Sequence, residues 1–299
     1  MKNVILTILM AATLGVTANA QNSNKQWLDV NYANDDKAYH NMDIHLPQVA
    51  KPAYKAIIVI YGSAWFANNM KQMGFQSLGQ PLLDAGFAVV AINHRSSADA
   101  AYPAQINDVK AAIRFVRANA KKYNIDASFI GITGFSSGGH LASLAGTTNG
   151  VKQHTVGKVT VNIEGNLGSF NTTSSAVSAV VDWFGPVDFT RFKDCKAPND
   201  DKSPEAALIK GNPADNLDML ALISPFTFID KSDPKFLVIH GDADTVVPYC
   251  QSQFFADALK AKGLLDELII VPKGQHGPVT FNSCTFKKMA DFFVKSAGM

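Results

Sequence analysis

Apolar residues along this chain fall in short runs separated by stretches of helical periodicity, and that alternation predicts a mostly parallel β-sheet between layers of helix. Eight runs, at 27–32, 40–45, 56–61, 87–93, 129–135, 179–184, 236–240 and 267–271, read as strands. The most apolar of them, such as Ile57-Ile58-Val59-Ile60, show no polar alternation, as expected of strands covered on both faces. Between the runs, Ile106, Val109, Ile113 and Val116 recur at helical spacing within 104–122, and 251–262 and 286–294 are similarly amphipathic. The expectation is a single α/β domain with an eight-stranded, mostly parallel sheet, helices on both faces and inserted loops. Two stretches break the pattern: 146–176, rich in Gly, Asn, Ser and Thr, and 191–233, with Pro, Asp and two short helical pieces. Excursions of that length in a compact domain are usually functional covers.

The first residues modify the picture. Lys2 precedes an apolar stretch from Val4 to Val16 and the small residues Ala18-Asn19-Ala20, the layout of a secretory signal. Residues 1–20 are therefore expected to be a signal peptide and 21–299 the globular domain. The apolar stretch falls short of the roughly 20 residues a spanning helix needs, so no membrane association is expected after cleavage. The destination would be the periplasm or the cell exterior. In an oxidising compartment Cys195, Cys250 and Cys284 can form one disulfide and leave one thiol; the sequence leaves open which two pair. The 27 basic and 25 acidic residues are spread along the chain, with no basic run to track a phosphate backbone, which excludes nucleic acid as an expected partner. With 47% of its 299 residues hydrophobic, the chain can bury a sizeable core.

Chemistry concentrates at Gly134-Phe135-Ser136-Ser137-Gly138, which follows the apolar run 129–133 and precedes the helical 139–144. A G-x-S-x-G turn between strand and helix is the context of a nucleophile elbow. Neither G-x-x-x-x-G-K-[ST] nor G-x-G-x-x-G occurs, so phosphate and dinucleotide loops have no support. A serine hydroxyl is a weak nucleophile and needs a base, with a carboxylate to orient it. Folds with this elbow place them in the order Ser, acid, His. Among His154, His240 and His276, which follow the elbow helix, only His276 lies beyond both a strand-end carboxylate and the last predicted strand. His94, His140 and His240 have packing or hydrogen-bonding roles as the simpler reading. For the acid, 236–239 runs into a loop holding Asp242 and Asp244; Asp244 is favoured because it sits just before the next helix, Asp242 would brace the turn, and Asp188 is the other candidate. The N–H groups expected to stabilise an oxyanion are those of Ser137, after the nucleophile, and of Ser63 and Ala64, in the loop after the third run. Trp65 and Phe66 are candidate pocket residues.

Taken together, Tyr61-Gly62-Ser63-Ala64-Trp65, Asn93-His94-Arg95, the block from Pro103 to Ala112, the Ser136 elbow, the block from Val181 to Phe189, the Asp244 loop and His276 resemble the bacterial carbohydrate-esterase-like and feruloyl-esterase-like branch of α/β-hydrolases, related to hormone-sensitive-lipase-type esterases. The resemblance implies a serine esterase that needs no cofactor and no metal. It also implies substrates bearing acetyl or hydroxycinnamoyl groups on plant polysaccharide fragments, so a small-molecule or oligosaccharide ester is the expected partner. The family usually shows His-Gly-Gly-Gly-Trp where this chain has Tyr61 to Trp65, and Ser-Ala-Gly-Gly-His where it has Ser136 to His140. The Cβ atoms of Ser63 and Ala64 are expected to restrict any backbone conformation with positive φ. An exopeptidase-type serine hydrolase on the same fold, or a non-catalytic binding protein that kept the fold, are the rival readings.

Overall fold

The structure, a computed structural model, describes residues 25–195 and 200–299; the expected signal peptide lies outside them. The strands, in chain order, are β1 Gln26–Asn31, β2 Asn41–His45, β3 Tyr54–Ile60, β4 Ala88–Ile92, β5 Ile125–Phe135, β6 Gln153–Val156, β7 Val159–Asn162, β8 Ala179–Trp183, β9 Lys235–Gly241 and β10 Leu265–Val271. The helices are α1 Lys71–Gly74, α2 Gln80–Asp84, α3 Ala104–Ala118, α4 Ser137–Thr147, α5 Pro204–Ile209, α6 Leu217–Ile223, α7 Cys250–Ala261 and α8 Ser283–Ala297. A π-helical turn, Phe75–Gly79, joins α1 to α2.

Eight strands build one sheet in the order β1-β2-β4-β3-β5-β8-β9-β10. The β1–β2 and β2–β4 pairs are antiparallel, and every other pair is parallel. This is the expected α/β-hydrolase sheet. The apolar runs without alternation are explained by β3, whose successive residues point to opposite faces: Ala56, Ile58 and Ile60 belong to one core cluster, Ile57 and Val59 to another. The first cluster is completed by Ile106 and Val109 of α3, Leu141 and Leu144 of α4, and Phe255 and Leu259 of α7. The second takes Leu82 of α2 and Met289 and Phe293 of α8.

Several elements differ from expectation. The helix expected over 104–122 ends as α3 at Ala118 and continues as a 3-10 turn, Ala120–Tyr123. The expected 286–294 helix starts earlier, because the Asn282 side chain accepts from the Cys284 and Thr285 N–H groups in a capping box. The 146–176 excursion contains the antiparallel β6–β7 hairpin, and Glu164 beyond it pairs with the buried Lys110 and Arg114 of α3. The 191–233 excursion contains α5 and α6. A disulfide between Cys195 and Cys250 ties its start to the first residue of α7; Cys284 is free and exposed.

The parallel strands all end at one edge of the sheet, where open α/β folds place ligands. Tyr61 follows β3, Ser136 follows β5, Asp244 lies three residues past β9, and His276 lies in the loop after β10.

Candidate active site

Ser136 occupies the sharp turn between β5 and α4 at φ 56° and ψ −127°. That conformation is sparsely populated for a residue with a side chain and persists only where its surroundings fix it. Here the Ser136 N–H donates to the Trp183 carbonyl at 2.9 Å and its carbonyl accepts from the His140 N–H at 3.0 Å. The flanking glycines are required by close approach: a Cβ on Gly134 would lie 2.4 Å from the Gly138 carbonyl oxygen, and one on Gly138 would lie 2.3 Å from that of Ile60.

His276 Nε2 lies 2.8 Å from Ser136 Oγ and its Nδ1 lies 2.7 Å from Asp244 Oδ2. The Asp244 side chain is fully buried, while that of His276 is 20% exposed. Two backbone donors, Val246 N–H at 2.8 Å and Val247 N–H at 2.9 Å, hold Asp244 Oδ1. Burial by itself would raise the Asp244 carboxyl, but hydrogen bonds from His240 and His276 outweigh it and hold the group well below the usual carboxylate range. His276 Nδ1 therefore faces an anion, which fixes Nδ1–H as donor and leaves Nε2 to accept from the serine hydroxyl.

The other carboxylates do different work. Asp242 Oδ1 accepts from the Lys273 N–H at 2.6 Å, bracing one loop against the other. Asp188 is buried and accepts from the Thr190 N–H and hydroxyl. Behind Asp244, the fully buried His240 places Nε2 3.3 Å from Asp244 Oδ2 and 2.9 Å from the Val247 carbonyl, with Nδ1 2.7 Å from Ser252 Oγ. Since the Val247 carbonyl only accepts, Nε2 carries the proton. Sequence reasoning placed His240 at a strand end but had no signal for its contact with Asp244.

Opposite the elbow, the loop after β3 has two consecutive residues with positive φ, Ala64 at 51° and Trp65 at 60°. Ala64 thus adopts the conformation its Cβ was expected to restrict, at a strain of about 1–2 kcal/mol. The Ser63 N–H donates to Ser137 Oγ at 2.8 Å. That bond corrects the expectation that Ser63 is a free oxyanion donor, because its N–H is already committed to a side chain. Ser137 is the first residue of α4, so its own N–H has no intrahelical acceptor. The Trp65 indole N–H donates to His140 Nδ1 at 3.2 Å, and His140 Nε2 lies 2.7 Å from the Ile223 carbonyl. Burial lowers the His140 imidazole to about 4, so it stays neutral and can accept from Trp65.

Trp65 lines a cavity of about 310 Å³ beside Ser136. Phe66, expected in the pocket as well, is 56% exposed and lies outside the cavity walls. Among the described residues no group of three or more His, Cys, Asp or Glu side chains could hold a metal ion, and no helix is long and apolar enough to cross a membrane.

A hydroxyl hydrogen-bonded to an imidazole that is oriented by a buried carboxylate can act as a nucleophile toward an acyl carbon. Comparison with known proteins points the same way. The BD-FAE family profile matches residues 42–259. The structure resembles that of a protein from Bacteroides eggerthii described as bifunctional GH43-CE, with 66% identity and a TM-score of 0.90 over 91% of this chain and 35% of that one. It also resembles a truncated carbohydrate esterase from gut microbiota, with 58% identity and a TM-score of 0.90 over 92% of this chain and 97% of that one. Among curated sequences, the probable carboxylic ester hydrolase LipM of Mycobacterium tuberculosis is 32% identical over 237 residues, which are 78% of this chain and 51% of LipM. The chain spans about half the length of the curated relatives it matches.

Proposed function

This chain belongs to the BD-FAE family, and we propose that it is an exported serine esterase acting on carboxylic esters, namely acetyl or feruloyl groups on plant polysaccharide fragments. The observation that carries the reading is the unbroken contact from Ser136 Oγ through His276 to the buried Asp244, at 2.8 and 2.7 Å. Similarity to a carbohydrate esterase across nearly the whole of both chains supports the sugar-ester class. Export is supported by the layout of residues 1–20 and by the Cys195–Cys250 disulfide, which suits an oxidising compartment.

In this mechanism Ser136 Oγ attacks the ester carbonyl carbon while its proton passes to His276 Nε2. The carbonyl oxygen becomes an oxyanion, accepting from the N–H groups of Ala64 and Ser137. Ser63 serves the site through its bond to Ser137, which ties the donor loop to the elbow helix. Collapse of the intermediate breaks the bond to the alcohol oxygen, and His276 gives that oxygen the proton. A water then attacks the acyl-enzyme, giving up one proton to His276, which returns it to Ser136 Oγ as the carboxylic acid leaves.

The test is turnover of p-nitrophenyl acetate, an acetylated xylo-oligosaccharide, methyl ferulate and a peptide anilide by the wild type and by Ser136→Ala. Ester hydrolysis that disappears in Ser136→Ala supports the reading. Anilide cleavage without ester turnover would replace it with an exopeptidase. Inertness toward all four, with no labelling by a fluorophosphonate, would make the chain a binding protein.

A further inference from the structure

The cleft across Ser136 has two lobes, with Ala64, Ser136 and Val246 on the walls of both. One lobe, about 290 Å³, is bounded by Phe135, Phe184, Phe281 and His276. The other, about 310 Å³, has apolar walls that include Trp65, Pro186 and Phe192, and polar ones from Asp200, Lys202 and Glu205. An ester seated at Ser136 sends its two halves away from the carbonyl carbon in different directions. Its leaving oxygen must take a proton from His276 Nε2, so the alcohol half belongs in the lobe that contains His276. The acyl half then enters the lobe of Trp65 and Glu205, which is far larger than an acetyl group fills.

Glu205 is the unusual member of that lobe. It is only 7% exposed, yet among the described residues no cation forms an ion pair with it, and Asp200 adds a negative charge. Among the described residues, its own N–H and the Ser203 hydroxyl are the donors that favour its charged form. A carboxylate has roughly four lone-pair sites, so acceptor capacity remains. Burial, with Asp200 beside it, pushes its carboxyl above the usual range. Its place in the first turn of α5 favours negative charge, but that advantage is equally available to a side chain facing water and does not account for a carboxyl on the wall of the cavity. Buried carboxyls without a cation are destabilising unless donors reach them, and clefts are where such groups gather for a function.

We propose that the lobe of Trp65 and Glu205 is the acyl subsite, and that Glu205 is a specificity-determining residue accepting a hydrogen bond from a hydroxyl at the far end of an aromatic acyl group. The apolar walls take the ring, and the carboxyl takes the donor that a phenolic hydroxyl supplies. The inference rests on the esterase reading above and adds to it the side of the cleft and the residue that reads the acyl group.

The test compares kcat/KM for methyl 4-hydroxycinnamate and methyl 4-methoxycinnamate, which differ in the hydrogen-bond donor, within each enzyme. The ratio cancels losses of folded protein, and fluorophosphonate labelling of Ser136 checks the site. Wild type should prefer the 4-hydroxy ester by about tenfold or more, the worth of a charge-assisted hydrogen bond. In Glu205→Leu the ratio should collapse to about twofold or less, while Glu205→Gln, which keeps an acceptor oxygen, should fall between. If Glu205→Leu does not fold, a loss of about threefold or more in the ratio of Glu205→Gln carries the same conclusion. Hydrolysis of both esters with a flat wild-type ratio, or a ratio unchanged in the variants, overturns the role of Glu205 alone. Absence of all ester turnover and of Ser136 labelling overturns the esterase reading and this inference with it.

Discussion

The Ser137 hydroxyl accepts a hydrogen bond from the Ser63 N–H at 2.8 Å, joining the first residue of the elbow helix to the loop that faces Ser136. The bond spans the two places that would hold an oxyanion. It also steadies a loop whose next two residues, Ala64 and Trp65, both have positive φ, a conformation that relaxes without restraint. Ser137→Ala should therefore lower stability by about 1 kcal/mol and kcat about fivefold, with KM nearly unchanged. Kinetics beside a denaturant titration check this; unchanged kcat would mean that the loop holds its shape without the tether.

Some of this site was legible in the sequence because its determinants are local. The elbow needs a strand, two small residues and a helix within a dozen positions, and Gly134, Ser136 and Gly138 supply them. The choice of Asp244 over Asp242 followed from its place before the next helix, and the structure puts Asp244 against His276 and Asp242 against Lys273. What was not legible depends on contacts between distant segments. The Ser63 to Ser137 bond turns on a side-chain rotamer 74 residues away. The pairing of Cys195 with Cys250 follows from how the 191–233 excursion folds back on α7. The α1–α2 segment was missed because Gly74, Gly79 and Pro81 lower its helical propensity. Glu205 drew no notice because a glutamate in a helix's first turn is ordinary until its burial is known.

The second prediction concerns the residue behind Asp244. His240 contacts Asp244 Oδ2, the Val247 carbonyl and Ser252 Oγ with no exposure to solvent. In His240→Leu these partners lose a donor and an acceptor, at about 1–3 kcal/mol of stability. Because Asp244 gains freedom to turn from His276, kcat should fall about tenfold or more while KM moves little. A compensating fall in KM, or unaltered kcat in folded protein, would limit His240 to a structural part.

A third prediction follows from His140. In the folded chain its imidazole is lowered from 6.5 to about 4 by burial, so the unfolded chain binds the proton first as pH falls. The stability it contributes is complete above about pH 6.5 and is lost progressively toward pH 4, amounting to about 3 kcal/mol. His94 is lowered in the same direction by burial, so the comparison needs a variant. Urea titrations at pH 7 and pH 4.5 should show a smaller acid loss for His140→Gln than for wild type, and equal losses would contradict the assignment.

The disulfide supplies a fourth. Cys195 and Cys250 close a segment with a separation of 55 residues that carries the Asp200 to Glu205 wall of the cavity. Replacing both with Ser should lower stability by about 2–4 kcal/mol. It should also raise KM for esters with bulky acyl groups more than for p-nitrophenyl acetate. Calorimetry and kinetics on the double variant test both parts; equal KM changes for the two ester types would place the effect outside the cavity.

The central claim is that Ser136 carries the acyl group. The most direct measurement is rapid-quench peptide mass mapping after mixing enzyme with p-nitrophenyl acetate, in wild type and in Asp244→Asn. The account predicts an acetyl adduct on Ser136 within the first turnover in wild type, and adduct formation slowed by about 10³-fold or more in Asp244→Asn, where His276 loses the anion that fixes its tautomer. An adduct on another residue, or turnover with no adduct on Ser136, would contradict it.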